Sequence, residues 1–199
     1  MAQAHDASAV TTLSQVPNRY LSPLSQAKKD RPLRKANVLW PRAGRVLIAE
    51  GLRLNTQRLV AVRLDQQILS NVWWPLALER PNPAIEKALV LWLNSTLGLL
   101  VLLSHREETE GAWVSFKKPV LRDMPILDAR SLNDNQLATL TDAYNRLCGE
   151  TMLPFPEMAQ DPVRVEIDGV IAEVLGLPRF DALRELLARE PVVCLEPLS

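Results

Sequence analysis

One stretch governs what this chain can fold into: residues 84–103, AIEKALVLWLNSTLGLLVLL. Pro81-Asn82-Pro83 precedes it, where Asn82 can cap a helix whose first turn accepts Pro83. Beyond Lys87 the run is apolar on every face except at Asn94, Ser95 and Thr96. A helix without a polar face is buried on all sides. A membrane span needs about 20 apolar residues, and this run is shorter and broken by three polar side chains. It reads as the central helix of a soluble domain. Gly98 would admit a neighbouring backbone at close range. Asn94 and Ser95, once buried, each require a partner such as the main chain of an adjacent loop.

Before this helix the pattern is that of strands. Residues 45–52 (RVLIAEGL), 58–64 (RLVAVRL) and 68–78 (ILSNVWWPLAL) are short runs rich in β-branched and aromatic residues. The turn-like triplets 55–57 (NTQ) and 65–67 (DQQ) separate them. Such short links predict an antiparallel meander with the helix packed across it. In the second run Val60, Val62 and Leu64 would share one face, with Leu59, Ala61 and Arg63 on the other. After the helix, residues 112–128 begin as a half-exposed strand, and Pro119 and Pro125 then predict an irregular, edge-like path. Three helices should follow. Ser131 would cap the first, with Leu137, Leu140, Tyr144 and Leu147 inward. Asp161-Pro162 would open the second, which stops at Gly176, and the third would end at Pro191.

The expected class is therefore α+β: a small antiparallel or mixed sheet packed on a buried central helix, then a C-terminal helical part. A chain of 199 residues holds one such domain with appendages. Residues 1–40 read as a largely disordered or extended basic segment, with a short pairing segment near Tyr20-Leu21. Residues 41–193 read as the domain, 128–193 being mainly helical, and 194–199 as a tail.

The net charge of zero conceals a split. Between Lys28 and Arg63 ten Lys and Arg face only Asp30 and Glu50, a local balance of +8 that the remainder offsets. A polyanion-facing N-terminal half follows from that, with Lys28, Lys29, Arg31, Arg34 and Lys35 as its densest cluster. Arg53, Asn55, Thr56, Gln57 and Arg58 add hydrogen-bonding side chains at one inter-strand turn. Asn and Gln match adenine edges, and Arg matches guanine. Asn71, Lys117 and Lys118 complete the candidate DNA-contacting set. Adjacent Trp73 and Trp74 would face opposite sides of a strand, one in the core and the other free to stack or anchor an interface. Arg164 and Asp168 have the spacing of an intrahelical ion pair.

Catalytic signatures are missing. There is no GxGxxG or GxxxxGK[ST] phosphate-cradling turn, no GxSxG and no HExxH. His105 ends the central helix, where a basic group complements the dipole. Glu107, Glu108 and Glu110 read as a solvated link rather than metal ligands. Cys148 and Cys194 are far apart with no CxxC, which fits neither zinc nor a disulfide scaffold and suits a reducing cytoplasm. No catalytic residue, metal or bound cofactor is expected in this chain.

Four blocks carry a resemblance: LNTQRLVAVRL…SNVWWPL, LWLNSTLGLL, TEGAWVSFKKPVLRDMPILD and DPVRVEIDGVIAEVLGLP. In this order they resemble the C-terminal region of adenine-specific (N6) DNA methyltransferases of restriction–modification and phage-defence systems. The similarity spans roughly residues 39–193. In that family the region follows the catalytic domain and acts as the target-recognition domain. The family's Asn-Pro-Pro-Tyr-type motif and its Gly-rich S-adenosylmethionine motif have no counterpart here; Trp73-Trp74-Pro75 and Asn82-Pro83-Ala84 do not substitute. The resemblance thus implies a recognition part alone, a split subunit or fragment. Its partners would be duplex DNA and a catalytic subunit or domain that binds S-adenosylmethionine. The alternatives are an assembly module of a phage-defence complex without DNA contact, and a decayed gene fragment.

Overall fold

A computed structural model describes residues 9–17, 26, 27, 29, 32, 33, 35–70, 72–108 and 113–194. In chain order its elements are β1 (Ser14–Gln15), α1 (Ala36–Leu39), β2 (Gly44–Ala49), β3 (Gly51–Arg53), β4 (Ala61–Ile68), β5 (Trp73–Leu76), α2 (Pro83–Asn94) and α3 (Thr96–Ser104). Then come β6 (Glu107–Glu108), β7 (Trp113–Ser115), α4 (Lys118–Asp123), α5 (Asp134–Leu147), α6 (Pro162–Leu175), α7 (Asp181–Ala188) and α8 (Pro191–Cys194). The fold is α+β.

The sheet is not a meander. Its order is β1-β4-β2-β5, with β2 antiparallel to both β4 and β5. Val46, Leu47, Ile48 and Ala49 are all buried, and a run apolar on both faces takes the centre of a sheet, flanked on both sides. The expected strand over 45–52 divides at Glu50. Its second half, β3, joins β7 and β6 in a separate three-stranded sheet. Residues 65–67 do not end a strand either. Between the pairs Gly44↔Ile68 and Val46↔Arg63, one residue of β2 faces four of β4. The exposed Asp65, Gln66 and Gln67 bulge out of the ladder and leave the strand continuous. The other turn, around Asn55, is as expected.

The N-terminal part contributes more than an extended arm. Ser14 and Gln15 pair in parallel with Arg63 and Leu64, and Leu13 is fully buried. The backbone N–H of Ser14 donates to Cys148 O, and Met152 N–H donates to Thr11 O. This segment thus ties the sheet edge to the C-terminal helices. Tyr20-Leu21 lies outside the described residues.

The apolar run forms two helices, not one. Asn82 caps α2 by accepting from Ala84 and Ile85 N–H, as anticipated. Asn94 then turns its amide onto β4: Oδ1 accepts from Val60 N–H at 2.8 Å and Ala61 N–H at 3.3 Å, and Nδ2 donates to Ala61 O at 2.7 Å. Ser95 leaves helical geometry (φ −69°, ψ 161°). Its Oγ donates to Trp92 O at 2.7 Å and accepts from Gly98 N–H at 3.1 Å, capping α3. The polar triplet that looked like an interruption within one helix is the end of one and the cap of the next. A Cβ on Gly98 would lie 2.0 Å from Trp92 O, so the 71° bend admits no side chain there. Among the described residues no single helix is long and apolar enough to cross a membrane. α2 and α3 meet such a test only together, across this bend.

α2 covers the β4 side of the sheet, where Glu86 pairs with Arg63 at 3.0 Å. Its other faces meet α5 and α6. Asn133, not Ser131, caps α5, in a reciprocal capping box with Gln136, while Ser131 Oγ donates to Asp128 O in the preceding turn. α6 opens at Asp161-Pro162 and closes on Gly176 in the left-handed region (φ 63°), as the sequence predicts. α7 ends at Ala188, and Pro191 opens α8 rather than simply closing the helical part.

Tyr144 of α5 is 3% exposed, and burial pushes its hydroxyl up to about 12. The unfolded chain releases this proton near pH 10, before the native state does, so stability is intact below pH 10 and declines as pH rises toward 12. The expected decline is on the order of 2 kcal/mol. Urea titrations at pH 9 and 11.5 on wild type and Tyr144→Phe test this. An equal decline in both proteins would assign it to other groups.

Candidate functional site

The turn at residues 53–58 positions its side chains differently from expectation. Gln57 is 5% exposed, and its Oε1 accepts from Arg53 N–H at 2.7 Å. That amide leaves the ladder at the end of β3 and needs an acceptor, which Gln57 supplies. Arg58 is likewise committed: Nη1 donates to Met152 O at 2.8 Å, and its own carbonyl accepts from Arg164. The Gln57 side chain thus closes its own turn, and the Arg58 side chain joins the sheet to the helical part. Arg53 and Thr56 are exposed and Asn55 is half-buried.

The basic residues also diverge. Lys117 pairs with Glu107 at 2.7 Å, and Glu107 and Glu108 lie in β6, not in a solvated link. Lys29 and Lys35 are exposed, Lys35 just ahead of α1. Lys28, Arg31, Arg34, Asn71 and Glu110 lie outside the described residues.

Lys118 points elsewhere, into a groove of about 640 Å³ over the β5 side of the sheet. Trp74 and Leu76 of β5 share this face with Ile48, as their pairing register requires. Leu39, Pro41 and Arg42 form one wall; α4 forms the other with Lys118, Leu121 and Arg122. The expected irregular path after Pro119 is this short helix, since proline fits its first turn. Lys118, Leu121 and Arg122 then fall at i, i+3 and i+4, one helix face.

The two adjacent tryptophans divide as their alternation predicts. Trp73 is 4% exposed in the core, and Trp74 is half-buried in the groove wall with Lys118 Nζ 5.5 Å from its ring centroid. Its Nε1 is buried and has no hydrogen-bond partner among the described residues. Arg42, Lys118 and Arg122 are exposed, none makes an ion pair with a described residue, and no carboxylate lines the groove among the described residues. Ser70 Oγ accepts from Val72 and Trp73 N–H, shaping the approach to β5. Comparison with known protein families, curated proteins and solved structures finds no match to this chain. The groove's own chemistry, an aromatic ring and three cations without an ion pair among the described residues, suits a planar anionic ligand.

Arg42 and Arg122 are absent from the sequence-derived set. The i, i+4 spacing of Lys118 and Arg122 carried the signal, but Pro119 read as a strand breaker instead of a helix start. Arg42 belongs to the basic stretch between Lys28 and Arg63, but only the packing of a 3-10 turn (Trp40–Arg42) brings it across from α4.

A second polar cluster lies in the interior. Arg164 is fully buried, donating to Asn94 O and, at 2.8 Å, to Arg58 O, with Phe155 5.1 Å from the guanidinium. Burial pulls this guanidinium below its ordinary value, and Asp161 and Asp168 act against that pull. The expected Arg164–Asp168 ion pair is not formed. Asp168 instead accepts from the Thr96 N–H and hydroxyl and from Arg184 Nη1 at 2.9 Å. Arg184 also reaches Asp181, whose carboxyl Arg179 and Arg184 hold down to about 2. The α2–α3 bend exposes backbone groups inside the core; α6 delivers Arg164 and Asp168 to satisfy them, and Arg184 of α7 pairs with Asp168. Its role is structural. Among the described residues no three His, Cys, Asp or Glu side chains converge on a metal position. His105 caps α3, a ring nitrogen 2.8 Å from Val101 O.

Proposed function

We propose that this chain is a non-catalytic DNA-recognition module of a site-specific adenine-N6 methyltransferase. It would act in the cytoplasm and position duplex DNA for a catalytic subunit or domain that binds S-adenosylmethionine. The observation that carries the reading is the groove that Arg42, Lys118 and Arg122 line together with Trp74. The sequence resemblance described above supports it. The groove joins the exposed Arg53 and Thr56 as the candidate contact surface, while Gln57 and Arg58 of that turn are engaged internally.

Duplex affinity should fall linearly on a log–log plot against salt. Each phosphate contact removed should shallow the slope by about 0.9. The triple replacement Arg42→Ala, Lys118→Ala and Arg122→Ala is therefore expected to weaken binding to all sequences and flatten the salt dependence. Anisotropy titrations between 50 and 200 mM salt, roughly the range over which such slopes are resolved, provide the measurement. Unchanged affinity and slope in the triple variant would remove the groove from the interface. Val38 and Trp40, exposed at 57% and 56% beside the groove wall, favour the second reading, an assembly module. A chain that captures the catalytic partner but binds no DNA at any salt would support that reading.

A further inference from the structure

We infer that the groove over β5 accommodates an unpaired nucleotide, its base stacked on Trp74 and its phosphates held by Lys118, Arg122 and Arg42. This rests on the nucleic-acid reading and specifies which part of the nucleic acid enters. The first argument is size. A cleft of about 640 Å³ lies in the range of sites for single small ligands, whereas a duplex is read by elements inserted into grooves about 12 Å wide. Here the protein is concave, so a single residue of the strand must enter it.

The second argument is the aromatic wall. Lys118 Nζ stands 5.5 Å from the Trp74 ring centroid, on an exposed and flexible side chain. A base plane can take that position and release the ammonium to a flanking phosphate. Paired bases within a duplex have both faces covered by their neighbours; only an unpaired base offers one. Finally, β5 is an edge strand but contains Pro75, which lacks an N–H and blunts pairing with an added peptide strand. That favours a nucleotide over an extended acidic peptide as occupant.

The experiment uses the full chain and labelled oligonucleotides of equal length: fully paired, paired with a one-nucleotide bulge, and single-stranded. The bulged and single-stranded forms should bind roughly 5- to 150-fold tighter than the paired form, the range of one stacking contact. Trp74→Leu should abolish the preference and Trp74→Phe should keep most of it, with melting curves checking the fold of both. Should Trp74→Leu fail to fold, the bulged-to-paired ratio of the wild type still decides. Equal binding of paired and bulged duplexes, both sensitive to Lys118→Ala and Arg122→Ala, overturns this inference and leaves the DNA reading standing. No binding to any of the three overturns both. Displacement of the oligonucleotides by polyglutamate, without a bulge preference, assigns the groove to an acidic protein segment.

Discussion

Replacing Arg164 with alanine is expected to destabilise the protein by about 3–5 kcal/mol, against a total stability of about 5–15 kcal/mol for a typical domain. The reason is not that a buried ion pair is intrinsically strong. Asp161 is 3.9 Å away, a weak geometry, and desolvation opposes such pairs. What matters is what remains after truncation. Asn94 O and Arg58 O lose their donors inside a region where Arg164 itself is 0% exposed, and Asp161 and Asp168 lose a compensating charge. The Phe155 ring also loses the guanidinium stacked above it. Urea denaturation should show a lower midpoint at nearly constant m-value. Arg164→Met, which restores volume but no donors, should recover only a minor share. A shift below about 1 kcal/mol for Arg164→Ala would show that water reaches these carbonyls and that the cluster is dispensable.

The next largest effect is expected at Asn94. One amide satisfies Val60 N–H, Ala61 N–H and Ala61 O, and it fixes where α2 ends against β4. Asn94→Leu matches its size but supplies no polar atom. Each buried group left without a partner costs about 1–3 kcal/mol, so a loss on the order of 3 kcal/mol is expected. Asn94→Asp keeps the acceptor and loses the donor, placing a carboxylate against Ala61 O and Val90 O. It should be at least as damaging as leucine. Hydrogen exchange offers a local readout: the amides of Val60 and Ala61 should lose protection in the leucine variant before the rest of the sheet does, and keep more of it in the aspartate variant, whose carboxylate still accepts from them. If Asn94→Leu unfolds with the wild-type midpoint, the amide bonds are not holding the junction. Because Arg164 bonds to the carbonyl of Asn94, the two substitutions should combine non-additively.

Much of this architecture is legible in the chain itself, for local reasons. Asn82 followed by Pro83, and Asp161 followed by Pro162, define helix starts by chemistry that acts within four residues. Gly176 ends α6 because the left-handed turn there favours glycine. The spacing of Leu140, Tyr144 and Leu147 sets which face of α5 is buried. That Trp73 and Trp74 part company follows from the two-residue period of any strand. The need of Asn94 for a buried partner was also readable, since a polar group in such a run must find one.

What only the tertiary structure decided concerns contacts between segments far apart in sequence. Strand order is one: β2 lies between β4 and β5, a choice that depends on which strand is covered on both sides. The fate of Arg58 is another. Its side chain looks like a free hydrogen-bonding group until Met152 O approaches and engages it, whereas Gln57 turns back on Arg53 N–H within its own turn. Arg164 and Asp168 carry the spacing of a helical pair, yet their partners come from residues 58, 94, 96 and 184. The groove arises the same way, with Arg42 and Arg122 contributed by segments that only packing brings together around Trp74. Helix ends and buried faces depend on residues within a turn or two, whereas a polar side chain takes whichever partner the assembled fold presents, and no local pattern encodes that partner.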